Sequence, residues 1–322
     1  MRIVSETSTA NLERDVVLTI GAFDGVHCGH QALLRGMIRR ARALDMLAAV
    51  LTFYPHPREI LQKDAQFRYL TSDAERGRLF EALGVDLLVL QRFDRTLAAT
   101  DASDYLLTLS RNLRMRELWV GPDFALGRDR RGDVAELARL APELDYRLNV
   151  VEPVDACDQP ISSTRIRNLL EDGLVADVIP MLGRQYGMGG VVRYGAQRGR
   201  RLGFRTANVR VGPLCGCPGD GVYAVWALAF GQWYPGVANL GRRPSFDLGE
   251  RLLEVHLMGF GGSLYGHHMR VLFVERLRGE RRFEDPDALV AQVQEDMARA
   301  RAILDATPPR DGTLCETSDS AS

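Results

Sequence analysis

The chain has 322 residues, of which 46% are hydrophobic and 26% charged, and its formal net charge at pH 7 is −1. A single hydrophobic core stops growing at roughly 250–300 residues, so two domains are expected. Near-neutral charge excludes blanket attraction to nucleic acid or membrane surfaces, and no apolar run approaches the roughly 18–20 residues that span a bilayer.

VVLTIG, from Val16 to Gly21, reads as a buried strand, and Leu33, Leu34, Met37, Ile38 and Ala41 follow it at helical spacing. Leu47 to Phe53 reads as a second strand. Ser72 and Glu75 then form a capping box for a helix that Gly84 terminates. DLLVL at Asp86–Leu90 is a third strand. It is followed by a helix near Ser103–Leu113, a strand ending at Gly121, a helix near Asp133–Leu140 and the strand RLNVVEPV. Such alternation predicts an α/β doubly wound parallel sheet, whose ligands bind in loops at the carboxyl ends of the strands.

From about Gly187 the texture changes to strand-like runs punctuated by glycine and proline, which predicts a closed or nearly closed antiparallel β-barrel. Asp285 and Pro286 mark the start of a closing helix, with Leu289, Val293, Met297, Ala300 and Leu304 on one face. The expected domains are 1–182 and 183–306, followed by a polar, disordered tail over 307–322.

Composition constrains the chemistry as well. Of the 41 basic residues Lys63 is the one lysine, and no glycine-rich loop precedes it, which excludes a GxxxxGK phosphate cradle. ATP chemistry in this chain must rest on arginine, histidine, backbone amides and metal. Cys28, Cys157, Cys215, Cys217 and Cys315 are odd in number and scattered, which fits reduced thiols. MRIVSETSTANLERD lacks the apolar core of a secretory signal, so the expected location is cytoplasmic.

The loop after the first strand is GAFDGVHCGH, Gly21 to His30. Its glycines allow close backbone approach, the following helix N-terminus attracts anions, and His27 and His30 lie on one face if their turn is helical. Two imidazoles there can donate hydrogen bonds to phosphate oxygens as charge builds on them; a surface HxxH or half of a metal site are the alternatives. In PISSTRIR, Ser162, Ser163 and Thr164 suit a helix cap, while Arg165 and Arg167 sit where a helix dipole disfavours cations unless an anion binds. Arginines crowd the stretch between Asp177 and Asp220, which contains no acidic residue and would attract polyphosphate or, on the other reading, RNA.

Taken in order, GAFDGVHCGH, TFYPHPRE, GPDFALGRDRRGD and ISSTRIR resemble the bacterial bifunctional riboflavin kinase/FMN adenylyltransferase (FAD synthetase) family, and RGRRLGFRTANV, GVYAV, GVANLGRRPSF and LLEVHL resemble its kinase half. The resemblance implies a nucleotidyltransferase domain followed by a riboflavin kinase barrel, with ATP as co-substrate, flavins as substrate and product, and Mg²⁺ as cofactor. It implies catalytic roles for His27, His30 and Arg167 in FAD formation and for Glu254 in FMN formation. ATP contacts are implied at Gly21, Phe23, Asp24, Gly29, Asp123, Ser163 and Thr164 in the first half, and at Gly199, Arg200, Gly203, Thr206 and Asn208 in the second. Thr206 and Asn208 are the implied metal ligands, and Phe53, Pro55, Pro57 and Phe124 the implied flavin contacts. Arg205 and Arg242 depart from the kinase pattern, which has proline and threonine there, and Pro122 departs from an acidic position. A barrel that only binds flavin, and a non-enzymatic RNA-binding protein, are the alternatives. The expectation is of no nucleic-acid or membrane partner, with the oligomeric state open.

Overall fold

The computed structural model describes residues 1–62, 67–156, 159–194, 204–212, 215–242, 251–281, 283 and 285–312. These form two compact units, the first ending at Ser162 and the second beginning at Ser163.

In chain order the first unit contains β1 (Arg2–Val4), β2 (Val16–Ile20), α1 (Cys28–Ala43), β3 (Leu47–Tyr54), α2 (Pro57–Leu61), α3 (Asp73–Leu83), β4 (Leu87–Arg92), α4 (Arg95–Ala98), α5 (Ala102–Leu113), β5 (Met115–Val120), the ribbon β6 (Ala125–Leu126) with β7 (Gly132–Asp133), α6 (Val134–Leu140), β8 (Arg147–Val150), and the ribbon β9 (Asp155–Ala156) with β10 (Gln159–Pro160). Six strands form one sheet in the order β1-β4-β3-β2-β5-β8, every pair parallel. Successive residues of a strand face opposite sides, and here both sides are covered. Val17, Ala48, Val50 and Leu88 pack with Leu34 and Met37 of α1 and Phe80 of α3. Leu18, Leu51 and Val89 pack on the other face with Leu106 and Leu109 of α5 and Leu137 of α6. That is why these strands read as unbroken apolar runs.

Neighbours are laid down on one side of β2 as far as β4 and on the other from β5 onward. The resulting crevice, beyond the carboxyl ends of β2 and β5, is where such sheets bind ligands, and the Gly21–His27 loop leaves β2 there. The capping box of α3 forms as expected: Ser72 Oγ accepts from the Glu75 amide at 3.2 Å, and Gly84 ends the helix at φ +94°.

The second unit opens with α7 (Ser163–Glu171) and α8 (Val175–Leu182), followed by β11 (Tyr186–Arg193), β12 (Ala207–Arg210), β13 (Gly221–Ala229), β14 (Gln232–Arg242), β15 (Arg251–Leu257), β16 (His268–Arg278) and α9 (Pro286–Ala306). The strands close into an antiparallel barrel in the order β11-β12-β15-β14-β13-β16. In packing, α7 and α8 go with this barrel, and the division between units falls about twenty residues before the boundary expected at 182. The physical reason is the turn joining the two helices: Leu170 O accepts from the Gly219 amide at 2.7 Å and Asp172 O from Arg276 Nη1 at 3.2 Å.

Asp285 caps α9, its Oδ1 accepting from the Ala288 amide at 2.7 Å with Pro286 at the first helical position. Ala300 and Leu304 of α9 then bury against Val222, Ala224, Val237, Val274 and Leu277 on the barrel's outer face. Residues 307–312, expected to open a disordered tail, are instead tied to the barrel. Gln185 donates from Nε2 to Pro308 O at 3.0 Å and accepts at Oε1 from the Arg310 amide at 2.7 Å, and Trp226 Nε1 donates to Thr307 O at 2.7 Å. The rest of that segment lies outside the described residues. Among the described residues Cys215 and Cys217 are reduced thiols.

Candidate functional site

At the mouth of α1, His27 is the N-cap residue, and its Nδ1 accepts from the His30 amide at 3.3 Å. That bond fixes the tautomer with the proton on Nε2, leaving a donor on the far side of the ring. The two imidazoles stack, centroids 3.6 Å apart and 18° from parallel. Phe23 meets His30 edge-on at 5.1 Å and is itself backed by Phe80 at 5.8 Å. His30 is half-buried, but its Nδ1 is enclosed without a hydrogen-bond partner. Burial, and secondarily the neighbouring His27, hold the His30 imidazole well below its ordinary value, so it is neutral at pH 7. A neutral imidazole keeps one N–H, so each ring of the pair at this helix N-terminus can donate one hydrogen bond to a phosphate oxygen.

Glycines make room for this arrangement. A Cβ on Gly21 would come within 3.0 Å of the Phe23 ring, and one on Gly29 within 3.2 Å of His27 Nδ1. Asp24, expected among the ATP contacts, is 1% exposed, and its carboxylate accepts from the amides of Leu70 at 3.0 Å and Thr71 at 3.1 Å. It anchors the loop that leads into α3.

The remaining expected residues of the first unit lie at the carboxyl ends of β3 and β5. Phe53 and Phe124 both pack against the apolar cluster that contains Tyr105. Phe53 also meets Phe93 edge-on at 5.5 Å. Pro55 follows a cis peptide bond, and Pro57 is the first residue of α2. Asp123 is exposed on the loop after β5, and its carbonyl accepts from Arg130 Nη2 at 3.0 Å. Tyr105 was missed by sequence reasoning, since an aromatic residue on an amphipathic helix reads as core. Its hydroxyl is buried without a partner, which makes it a hydrogen-bond donor awaiting an acceptor. Ser163, Thr164 and Arg167 occupy the first turns of α7 in the second unit, where Ile166 and Leu170 supply the buried face.

In the barrel, strand register assembles a second site. Asn208 on β12 is directly opposite Glu254 on β15, which is directly opposite Asn239 on β14, so the three side chains share one face. Asn239 Nδ2 donates to Glu280 Oε1 at 3.4 Å. Val237 and Val222, on that same face, pack against α9, so the row lies on the helix-covered outer surface. Two residues along from Glu254, His256 Nδ1 is 2.9 Å from Arg205 O. It borders a cavity of about 540 Å³ lined also by Arg205, Met258, Phe260, Met297 and Arg301.

Thr206 is half-buried just before β12, and Asn208 is 7% exposed with its Oδ1 enclosed and unpartnered. An orphaned amide oxygen opposite a carboxylate is a donor pair suited to a hard, oxygen-seeking cation such as Mg²⁺. Gly199, Arg200 and Gly203 lie outside the described residues, as does the Arg242 side chain. Asn239 was missed in the sequence because only pairing across three strands brings it to this row.

Fold and sites together define a nucleotidyltransferase joined to a kinase barrel. The family models for FAD synthetase and for riboflavin kinase match residues 9–165 and 182–304. The chain is 38% identical over 299 residues to the bifunctional riboflavin kinase/FMN adenylyltransferase of Escherichia coli (strain K12), covering 91% of this chain and 94% of that protein. It is 35% identical over 310 residues to the protein so named in Haemophilus influenzae, covering 94% and 99%. A crystal structure described as a macrolide-efflux protein from Streptococcus pneumoniae superposes with a TM-score of 0.86 at 30% identity, over 93% of this chain and 98% of that one. Among the described residues no helix is long and apolar enough to cross a membrane. The chain belongs to the bifunctional riboflavin kinase/FMN adenylyltransferase family.

Proposed function

We propose that this chain phosphorylates riboflavin to FMN on the barrel and adenylylates FMN to FAD in the first unit. The observation that carries the first step is the Asn208–Glu254 pair with its unpartnered amide oxygen. Glu254 takes the proton of the ribityl hydroxyl as that oxygen bonds to the γ-phosphorus of ATP, the bond from γ-phosphorus to the β,γ-bridging oxygen breaks, and ADP leaves. Thr206 and Asn208 are the residues that would hold Mg²⁺, which when bound draws charge off the phosphate oxygens. The cavity bounded by Met258, Phe260 and Met297 offers apolar surface to the flavin ring, with Arg205, His256 and Arg301 at its polar edge.

In the first unit an FMN phosphate oxygen bonds to the α-phosphorus of a second ATP and pyrophosphate departs. No protein nucleophile is needed. His27 and His30 donate to the phosphate oxygens as charge accumulates, with Asp123 assigned to the nucleoside. Gly21, Phe23 and Gly29 shape the loop around the phosphates. Phe53, Pro55, Pro57 and Phe124 are assigned to the flavin. With soluble substrates and products, this reading places the enzyme in the cytoplasm.

The test is incubation with riboflavin, ATP and Mg²⁺, followed by chromatographic separation of the flavins over time. His30→Ala should accumulate FMN and make little FAD, whereas Glu254→Ala should make FAD only when FMN is supplied. Equal loss of both activities in each folded variant contradicts the two-site assignment.

A further inference from the structure

Arg76 on α3 is 1% exposed, between the apolar residues Leu79 and Phe80 and the buried strand residue Thr52. A buried guanidinium is expensive, and a leucine at this helix position would pack at lower cost, so stability alone does not account for it. Its contacts point to the loop before α1. Arg76 Nη1 donates to Ala22 O at 2.7 Å and to Thr52 Oγ1 at 3.4 Å, while Nη2 pairs with Asp73. Thr52 Oγ1 donates to the same Ala22 carbonyl at 3.1 Å. That carbonyl therefore receives two buried donors, one from β3 and one from α3.

Ala22 immediately precedes Phe23, which sits in the left-handed region at φ +48°, where a bulky side chain is disfavoured by roughly 1–2 kcal/mol. The surroundings must impose this conformation, and they do so on both sides. Ahead of Phe23, Arg76 and Thr52 grip Ala22 O. Behind it, Asp24 is bound to the amides of Leu70 and Thr71, and Gly25 N donates to Thr71 Oγ1 at 3.0 Å. Phe23 held in this way presents its ring edge to His30, which stacks on His27.

We propose that Arg76 is a positioning residue for adenylyl transfer: by holding the Ala22 carbonyl it fixes the Phe23 turn, and through that turn the orientation of the imidazole pair. The proposal rests on the assignment of FAD formation to the first unit. Arg76 touches no reacting atom, and its effect is on geometry, where a misplacement of about 1 Å costs about a hundredfold in rate.

The experiment uses the full chain and measures FAD formation from FMN and ATP, FMN formation from riboflavin, and the emission of Trp119, the one tryptophan of residues 1–162. Arg76→Leu is expected to lower kcat for FAD formation by about ten- to a hundredfold, with KM for FMN and ATP within about threefold and FMN formation unchanged. Arg76→Lys, which can still donate to Ala22 O, should recover most of kcat. Thr52→Val removes the second donor and should give the same kcat-specific loss on a smaller scale. If Arg76→Leu unfolds the first unit, seen in Trp119 emission, Thr52→Val reads the same contact. A wild-type kcat in folded Arg76→Leu, a loss that lysine does not recover, or an unchanged kcat in Thr52→Val overturns the proposal. A wild-type chain that makes FMN but no FAD removes the assignment beneath it, a result distinct from all of these.

Discussion

Asn208 and Glu254 face one another across β12 and β15, and the Asn208 amide oxygen is enclosed there with nothing to accept from. Leaving a buried acceptor unsatisfied costs about 1–3 kcal/mol. Asn208→Leu, with the same number and branching of side-chain heavy atoms, should therefore raise the melting temperature of the barrel unit while abolishing FMN formation. Calorimetry paired with a riboflavin turnover assay checks both halves, and a variant that loses stability along with activity would show that the amide is already satisfied in the fold.

The His27–His30 stack has a consequence for acid stability. The folded-state value of His30 is depressed, mainly by burial, so below about pH 6.5 the unfolded chain takes up a proton that the folded chain does not. Stability of the first unit should fall as pH drops from about 6.5 toward the folded value. Denaturant melts followed by Trp119 emission across that range should show the decline in the wild type and a shallower slope in His30→Asn.

Glu117 shifts stability in the same direction with pH by a different route, through a favourable contribution that acid removes. At 4% exposure it accepts from Arg40 Nε at 2.8 Å, Trp119 Nε1 at 3.1 Å and Asn149 Nδ2 at 3.1 Å, joining α1, β5 and β8. Burial alone would raise its carboxyl, but the Arg40 guanidinium and the Trp119 indole outweigh it and hold it below the ordinary glutamate value. The contribution is therefore complete above roughly pH 4.3 and is lost as pH falls through the folded value. Glu117→Gln should melt at a lower temperature than the wild type at pH 7, with the gap closing in acid, as circular dichroism melts at several pH values would record.

Gly190 is on β11, and a Cβ there would fall 2.4 Å from the backbone oxygen of Arg210 on β12. Backbone cannot step aside as a side chain does, so Gly190→Ala should destabilise the barrel by about 1–3 kcal/mol. Because β12 carries Asn208, FMN formation should decline as well, with FAD formation from supplied FMN retained. Parallel assays of the two reactions on one preparation decide it.

Local signals made much of this legible in the sequence. Ser72, Glu75 and Gly84 bound α3 because caps are set by residues within one turn, and His27 and His30 meet because a helix start places residues three apart on one face. β1 carries no such signal: three residues become a strand only because Arg2, Ile3 and Val4 pair with Leu87, Leu88 and Val89 of β4. The anchoring bonds of Asp24 carry no local signal either, since only the fold brings Leu70 and Thr71 to it. Asn239, Tyr105 and Arg76 were hidden for a related reason, each reaching its site through strand register or packing across tens of residues, which no local pattern encodes.

The amide of Gln185 clasps the backbone on either side of Pro309, far along the chain, and so works as a buckle between the entry to β11 and the segment beyond α9. Cutting the chain after Ala306 would spare the helix yet strip Gln185 of both side-chain partners and Trp226 of its acceptor. The kinase half is thus best excised with residues 307–312 attached, and a shorter version should unzip first where β11 begins.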